Sequence, residues 1–321
     1  MNRPSILILA PPSEPSAQRV RSAVENLGGE VVWLNSRDEN PVLRMELGTD
    51  GHFSGSVLGV VLEEIRGVLV RSVAPRQPRL RDAALGKNLS EKDWIDGLRE
   101  GHARRDAHTL LLHALAEKGA IVLNPPRHGS VLEHKALQLQ VAIQLGFRVP
   151  RTAFGTLETV SSSGRSSIEQ IHKPLRGGAY ASSTADFSPS QMLIEQPRVR
   201  GADIRVFCVN GRVVLCVEFP EGDWTDHRST PAYQSGSLRF TSCNLDFSKA
   251  FLGQKNVRDG FENLAIGLQL PFMALDFKRD QEGRLWFLEA NGAPVFADVD
   301  DDHEGVLSEE LAAQLLGNTQ S

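Results

Sequence analysis

DIRVFCVNGRVVLCVEF, residues 203–219, holds the pair Asn210-Gly211 between two runs of alternating character. Asn-Gly is a strong signal for a two-residue type I′ turn, because both central residues of that turn need positive φ. The stretch therefore reads as a β-hairpin in which Val209 faces Arg212, with side chains alternating between two faces. Counting outward, Ile204, Val206, Cys208, Val213, Leu215 and Val217 share an apolar face. The other face gathers Asp203, Arg205 and Glu218 at the end away from the turn, with Phe207, Val209, Val214 and Cys216 nearer to it. A face turned wholly to solvent would not carry that apolar half, so its charged end is expected to border a ligand cleft. An exposed ion-pair cluster is the alternative.

A second hairpin follows in FMALDFKRDQEGRLWFLEANG, residues 272–292. Pairing Lys278 with Leu285 puts Asp276, Glu289 and Asn291 on one face. Met273, Leu275, Phe277, Trp286, Leu288 and Ala290 then pack on the other. Two carboxylates and a carboxamide on rigid strands are an oxygen-only donor set, which suits Mg²⁺. Asn291-Gly292 also reads as a turn that merely ends the strand.

Around these hairpins, 321 residues are more than one compact core usually organises, so two or three sub-domains are expected. The chain opens as α/β. Residues 5–9 (SILIL) and 31–34 (VVWL) read as strands around a helix at 16–27, GVLVR (67–71) as a further strand, and IVLN (121–124) as one halted by Pro125-Pro126. Residues 35–66 are too mixed to assign, and 91–118 carries helical periodicity through Trp94, Leu98, Leu110, Leu111 and Leu115. A helix is expected from Ser130, with Glu133 in capping-box spacing, to Leu145, stopped by Gly146. Strands then dominate, with helices at about 248–268 and from Ser308, so the pattern is α+β after an α/β beginning.

Composition excludes several classes. Forty acidic against 35 basic residues leave a net charge of −5, which disfavours binding nucleic acid by charge. No apolar run approaches the ~18 residues that span a bilayer, and the start MNRPSILILAPPSEP lacks the features of a signal peptide. No membrane association and a cytoplasmic location are the expectations. Cys208, Cys216 and Cys243 show no CxxC spacing and read as small core hydrophobes.

Two lysines complete the candidate set. Lys173 ends a strand in IHKPLRGGAY, just before Gly177-Gly178, whose backbone N–H groups could close over phosphate oxygens. Lys135 opens the helix HKALQLQVAIQLG. Either alone reads as a solvated side chain, and neither P-loop nor Rossmann spacing is present.

Taken in order, HKALQLQVAIQLGFRVP, IHKPLRGG, LIEQPRVRGADIRV, ALDF and LWFLEANGAP resemble the ATP-grasp superfamily. Within it the chain resembles the RimK-like ligases and the graspetide (microviridin-type) peptide synthetases. The similarity covers about residues 121–316, and IRGVLVR with IVLNPP upstream looks like a pre-ATP-grasp domain. The resemblance implies an N-terminal α/β domain at 1–125, a central lobe at 126–195 and a C-terminal lobe at 196–321. It implies ATP and Mg²⁺ as cofactors, a peptide or small carboxylate substrate, an acylphosphate mechanism and, for many relatives, oligomers. By position, Lys135 and Lys173 match lysines that touch phosphates, Glu195 and Gln196 the hinge at adenine and ribose, and Asp203 with Arg205 the element whose arginine faces the transferred phosphate. Asp276, Glu289 and Asn291 match metal ligands. Arg71 and Arg228 are candidates for an acidic substrate, and read equally well as ordinary exposed arginines. A catalytically inactive binder and a small-molecule kinase on the same scaffold are the alternative functions.

Overall fold

The structure is a computed structural model that describes residues 3–38, 40–73, 90–125, 134–162, 169–175, 187–188, 190–219, 239–253 and 256–318. The chain divides into two compact units, one of residues 1–127 with 308–321, the other of residues 128–307.

In the first unit, β1 (Ser5–Ala10), β2 (Glu30–Asn35), β6 (Ile65–Val70) and β7 (Ile121–Leu123) form a parallel sheet in the order β2-β1-β6-β7. Every residue of β1 is buried, as expected for a central parallel strand covered on both faces. Helix α1 (Pro15–Asn26) starts where sequence chemistry allows it: Pro15 needs no N–H partner in the first turn, and the Glu14 carboxylate accepts the Ala17 N–H. The mixed stretch 35–66 contains a small antiparallel sheet of β3 (Leu43–Leu47), β4 (Phe53–Val57) and β5 (Val60–Val61). Its periodicity is weak because one side packs on the core through Val57 while Leu47 and Val61 are exposed. Helix α2 (Glu91–Glu117) buries Leu111, Leu112 and Leu115. Trp94 and Leu110, expected on its apolar face, are exposed, so the buried stripe runs through Leu112 instead.

The second unit opens with α3 (Lys135–Gln144). His134 is extended and caps this helix, so it begins at Lys135 rather than Ser130; Ser130 and Glu133 lie outside the described residues. Gly146, at φ +85°, ends it as expected. A three-stranded sheet of β8 (Ala153–Thr156), β10 (Met192–Pro197) and β9 (Gln170–Pro174) carries the short helix α4 (Leu157–Ser162). A five-stranded antiparallel sheet runs β13 (Thr241–Ser242), β12 (Arg212–Glu218), β11 (Ala202–Val209), β14 (Phe272–Arg279), β15 (Leu285–Asn291). Helix α5 (Val257–Leu268) packs on its core face; α6 (Ala297–Asp302) and α7 (Val306–Leu315) close the chain. Phe147, Phe251, Phe261, Phe277 and Phe287 interlock behind this sheet with ring centres 4.4–6.4 Å apart. Each such ring, fully buried, is worth ~1.5–3 kcal/mol.

The hairpin turn is as read: Asn210 and Gly211 have φ of +50° and +75°, and Val209 faces Arg212. A β-bulge between Phe207 and Cys208 then shifts the register by one. Past it Ile204 faces Glu218 and Val206 faces Cys216, so Glu218 leaves the face of Asp203 and Arg205, and Leu215 and Val217 take the places expected for Val214 and Cys216. In the second hairpin Lys278 faces Trp286, not Leu285, and a bulge at Asp276/Phe277 adds a further shift of one, which sets Asp276 opposite Glu289 where the expected register has Phe287. Leu285 and Phe287 are therefore the core residues. Trp286 lies outside the core: its indole N–H donates to Asp280 (2.7 Å) and its ring sits under Arg148 and Arg284.

Residues 308–321 join the first unit at a defined point. A Cβ added to Gly67 in β6 would lie 2.4 Å from the backbone oxygen of Leu315. Backbone cannot swing aside as a side-chain tip can, so Gly67→Ala is expected to cost about 1–3 kcal/mol. A fall in the thermal midpoint checks this; an unchanged midpoint would mean that the terminal segment yields freely.

Candidate active site

Strand register builds the site. Arg205 on β11 lies opposite Asp276 on β14, and Asp276 lies opposite Glu289 on β15. The three form one row across the sheet, with cross-strand neighbours ~4.5–5.5 Å apart at Cβ. Two residues further along the strands, Asp203 faces Lys278, and on the other side Ala274 faces Asn291. Asp203, Arg205, Asp276, Lys278, Glu289 and Asn291 thus share one face. Its apolar half is covered rather than solvated, since Phe296 packs on Phe207 and Phe272 with ring centres 6.5 and 5.8 Å away.

Each carboxylate of the row has a cation. Arg205 grips Asp276 through two parallel bonds, Nε to Oδ1 at 2.7 Å and Nη2 to Oδ2 at 2.9 Å. This fork-to-fork contact fixes the plane of the guanidinium as well as its position. Phe219 supports it from below, its ring centre 5.7 Å from Cζ, and the Phe219 N–H is itself tied to the Asp203 carbonyl. Lys135, arriving from α3 and buried, donates to Glu289 Oε2 at 2.7 Å. Lys278 donates to Asp203 Oδ1 at 2.9 Å. Asn291 is exposed, and its Oδ1 accepts the Ala293 N–H at 2.9 Å, so the strand-ending turn is present on the same face as the two carboxylates.

Two of these partners escape the sequence reading. Lys278 carries a visible signal, since it stands two residues from Asp276 on the same strand and so on the same face. Gln138 is subtler. It lies one helical turn after Lys135, is 2% exposed, and its Oε1 accepts the Ala290 N–H at 3.0 Å. β15 is an edge strand, so that N–H points away from the sheet, and Gln138 satisfies it between Glu289 and Asn291.

The remaining candidates lie elsewhere. In the smaller sheet Lys173 faces Ile194 and His172 faces Glu195, so Glu195 and Gln196 point to opposite sides. Glu195 shares its side with Leu193 and Gly155, whose missing Cβ makes room for Thr159 and Val160 of α4. There its Oε2 lies 3.0 Å from buried His172 Nε2. Gln196 shares the side of Lys173; both are buried, and Gln196 donates to Thr152 Oγ1 at 3.0 Å. A ligand on that side meets Lys173 and Gln196, whereas the Glu195 side chain is turned toward α4. Arg71, in the first unit, is buried with its Nη2 2.9 Å from Glu14 Oε1. It is a paired arginine rather than an exposed one. Gly177, Gly178 and Arg228 lie outside the described residues. No helix among the described residues is long and apolar enough to cross a membrane.

No protein-family model and no curated protein sequence matches the chain. Solved structures match it over its whole length. The ATP-grasp ligase PsnB, complexed with its minimal precursor, Mg and ADP, superposes with a TM-score of 0.75 at 20% identity, covering 100% of this chain and 99% of that one. The macrocyclase MdnC of Microcystis aeruginosa MRC, bound to precursor peptide MdnA, gives 0.73 at 17% identity over 97% and 99%. A RiPP-associated ATP-grasp ligase of Chryseobacterium gregarium, in complex with ADP and a leader and core peptide, gives 0.69 at 17% identity over 100% and 98%. The order of elements, the charged face of the five-stranded sheet and these superpositions together identify the fold of this chain as that of the ATP-grasp ligases.

Proposed function

We propose that this protein is an ATP-dependent ligase that activates a carboxylate as an acylphosphate and joins it to an amine or alcohol, on a peptide or amino-acid-like substrate. The observation that carries the reading is the row Arg205, Asp276, Glu289, with Lys135 on its outer end. In this reading residues 126–195 and the strands from 196 onward are the two lobes, and PsnB and MdnC, solved with precursor peptides, favour a peptide substrate.

The donor set fits magnesium. Among the described residues no group of three or more His, Cys, Asp or Glu side chains forms a cage. Magnesium does not ask for one, since it usually takes one or two carboxylates and completes its shell with waters and phosphate oxygens. Asp276 and Glu289, with Asn291 beside them, would hold it, and when bound it would neutralise charge on the phosphates. The cations that now hold these acids are the groups a polyphosphate needs, so Arg205 and Lys135 would exchange carboxylate for phosphate partners rather than be stranded. Lys173, with Gln196 on the same side, is placed to hold nucleotide from the smaller sheet. The substrate carboxylate attacks the γ-phosphorus, ADP leaves, and the nucleophile then attacks the acyl carbon and expels phosphate. Arg205, its guanidinium over the Phe219 ring, serves the moment when negative charge is spread over the transferring group.

Three measurements test this. Mg·ATP should raise the melting temperature, by a gain of about 2.7 kcal/mol at a concentration about 100 times Kd; Lys173→Met should lose most of it, and no shift at millimolar nucleotide would end the nucleotide assignment. Gln138→Leu should raise the Mg²⁺ concentration needed for half-maximal turnover more than it lowers kcat at saturating Mg²⁺, and Gln138→Glu, which keeps an acceptor, should recover part of the loss. A lowered melting temperature with unmoved Mg²⁺ dependence would leave Gln138 a purely structural tie.

The reaction itself is read by its products. ADP and phosphate are expected, and hydroxylamine should trap a hydroxamate when ATP and the carboxylate substrate are present. Arg205→Ala should cut trapping by about 10²-fold or more while weakening ATP binding less. AMP with pyrophosphate, or a stable phosphorylated product, would move the protein to the adenylating or kinase classes; binding without any product would leave an inactive binder.

A further inference from the structure

The three cysteines do not behave alike. Cys208 is fully buried on β11, and burial pushes its thiol up. Cys243, the residue after β13, continues the pairing of β13 with β12 and lies opposite Cys216: the Cys243 N–H donates to the Cys216 carbonyl at 3.0 Å, and the two Sγ atoms are 2.8 Å apart. They stand 27 positions apart in sequence. Directly opposed residues on antiparallel strands have Cα atoms ~4.5–5.5 Å apart, inside the ~4.4–6.8 Å that a disulfide requires. Access is unequal, for Cys216 is 7% exposed and Cys243 is half-buried, so an external reagent meets Cys243 first.

From this geometry we propose that Cys216 and Cys243 form a reversible dithiol/disulfide site that exchanges with small disulfides of the glutathione type. The Cys243 thiolate attacks one sulfur of the small disulfide; the S–S bond breaks, one small thiol leaves with a proton, and Cys243 carries a mixed disulfide. Cys216 then gives up its proton and attacks the Cys243 sulfur, forming the protein disulfide and releasing the second small thiol. Two protein thiols are oxidised and one small disulfide is reduced to two thiols, so atoms and electrons balance. The surroundings support the order of attack. A hydrogen bond from the Cys216 S–H to the Cys243 sulfur holds the Cys243 thiol below its ordinary value, opposed by burial and Glu218 and aided by Arg279. That same bond, with burial, pushes the Cys216 thiol up. Reaction follows the thiolate and its exposure, which makes Cys243 the entry point and Cys216 the resolving thiol.

The site is independent of ligase chemistry and is tested without it. Native protein is treated with oxidised glutathione, remaining thiols are blocked by alkylation, and the digest is read by mass spectrometry. A linked pair of peptides carrying Cys216 and Cys243, with Cys208 alkylated only after unfolding, is expected. The oxidised wild type should melt higher than the reduced, because the cross-link constrains the unfolded chain, and Cys243→Ser should show no such gain. A persistent glutathione adduct on Cys243, a link through Cys208, or three unmodified thiols would each overturn the proposal.

Discussion

Two carboxylates on neighbouring strands, Asp276 and Glu289, are the constraint around which the second unit is arranged. Like charges directly opposite each other weaken a sheet. At ~5 Å and an effective dielectric of ~20 the repulsion is of order 3 kcal/mol before solvent screening, and partial exposure reduces it. The chain answers with a cation for each: Arg205 from the next strand and Lys135 from α3. Both are placed by the fold rather than by local sequence. The arginine is brought by the β11–β14 register and the lysine by helix α3. What sits behind the row is rigid, because the residues of the same strands that point to the other face, Leu275, Phe277, Phe287 and Ala290, belong to the phenylalanine-rich core. A site that must hold opposite charges close without letting them collapse gains from such a backing.

The bulges show which part of this was legible in the sequence. Hairpin reading works by parity from the turn, and parity survives only while the ladder is regular. In the first hairpin the turn at Asn210-Gly211 is read correctly, and the bulge at Phe207/Cys208 then moves Glu218 to the other face, where it pairs with Arg279 at 2.7 Å. In the second hairpin the opposite happens. The longer turn hides the starting register by one residue, so Trp286 and Leu288 are expected in the core in place of Leu285 and Phe287. The bulge at Asp276/Phe277 adds a second shift of one in the same direction, and because a total of two leaves the face unchanged, Asp276 meets Glu289 on the face expected for both. The shared face of Asp276, Glu289 and Asn291 is therefore legible although the cross-strand partners are not, and three residues nearer the turn, at Trp286, the face itself is misread. Ladder irregularities carry no reliable local signature here, and both fall beside the charged face, where bulges commonly re-aim side chains.

What the sequence hides elsewhere is of a different kind. The strands of the α/β beginning are legible because SILIL and GVLVR are continuous apolar runs, whereas β3 to β5 pack on one side only and look like mixed loop. Glu195 and Gln196 are adjacent in an extended strand, so they cannot serve one face with both side chains; the pairing of Glu195 with buried His172 needed the β9–β10 register to be seen. Arg71 was visible as a charge at a strand end, but its partner Glu14 is 57 residues away.

Gln138 shows why such long-range ties matter most at an edge. β15 is the last strand of its sheet, and an edge strand presents unpaired N–H groups that invite another strand or fray. Pairing β15 with a further strand would secure it but would also lay backbone along the side from which Lys135 reaches Glu289. A side-chain acceptor from the helix that already carries Lys135 satisfies the Ala290 N–H without closing that side. One helix therefore supplies both the charge that balances Glu289 and the bond that holds its neighbour, so α3 is tied to β15 at two adjacent points. Nearer the turn the same edge does take backbone, the Phe287 N–H donating to the Arg148 carbonyl at 2.8 Å; beside Glu289 one buried amide serves instead, and it has a partner of good geometry, which is the condition for burying a polar group at little expense.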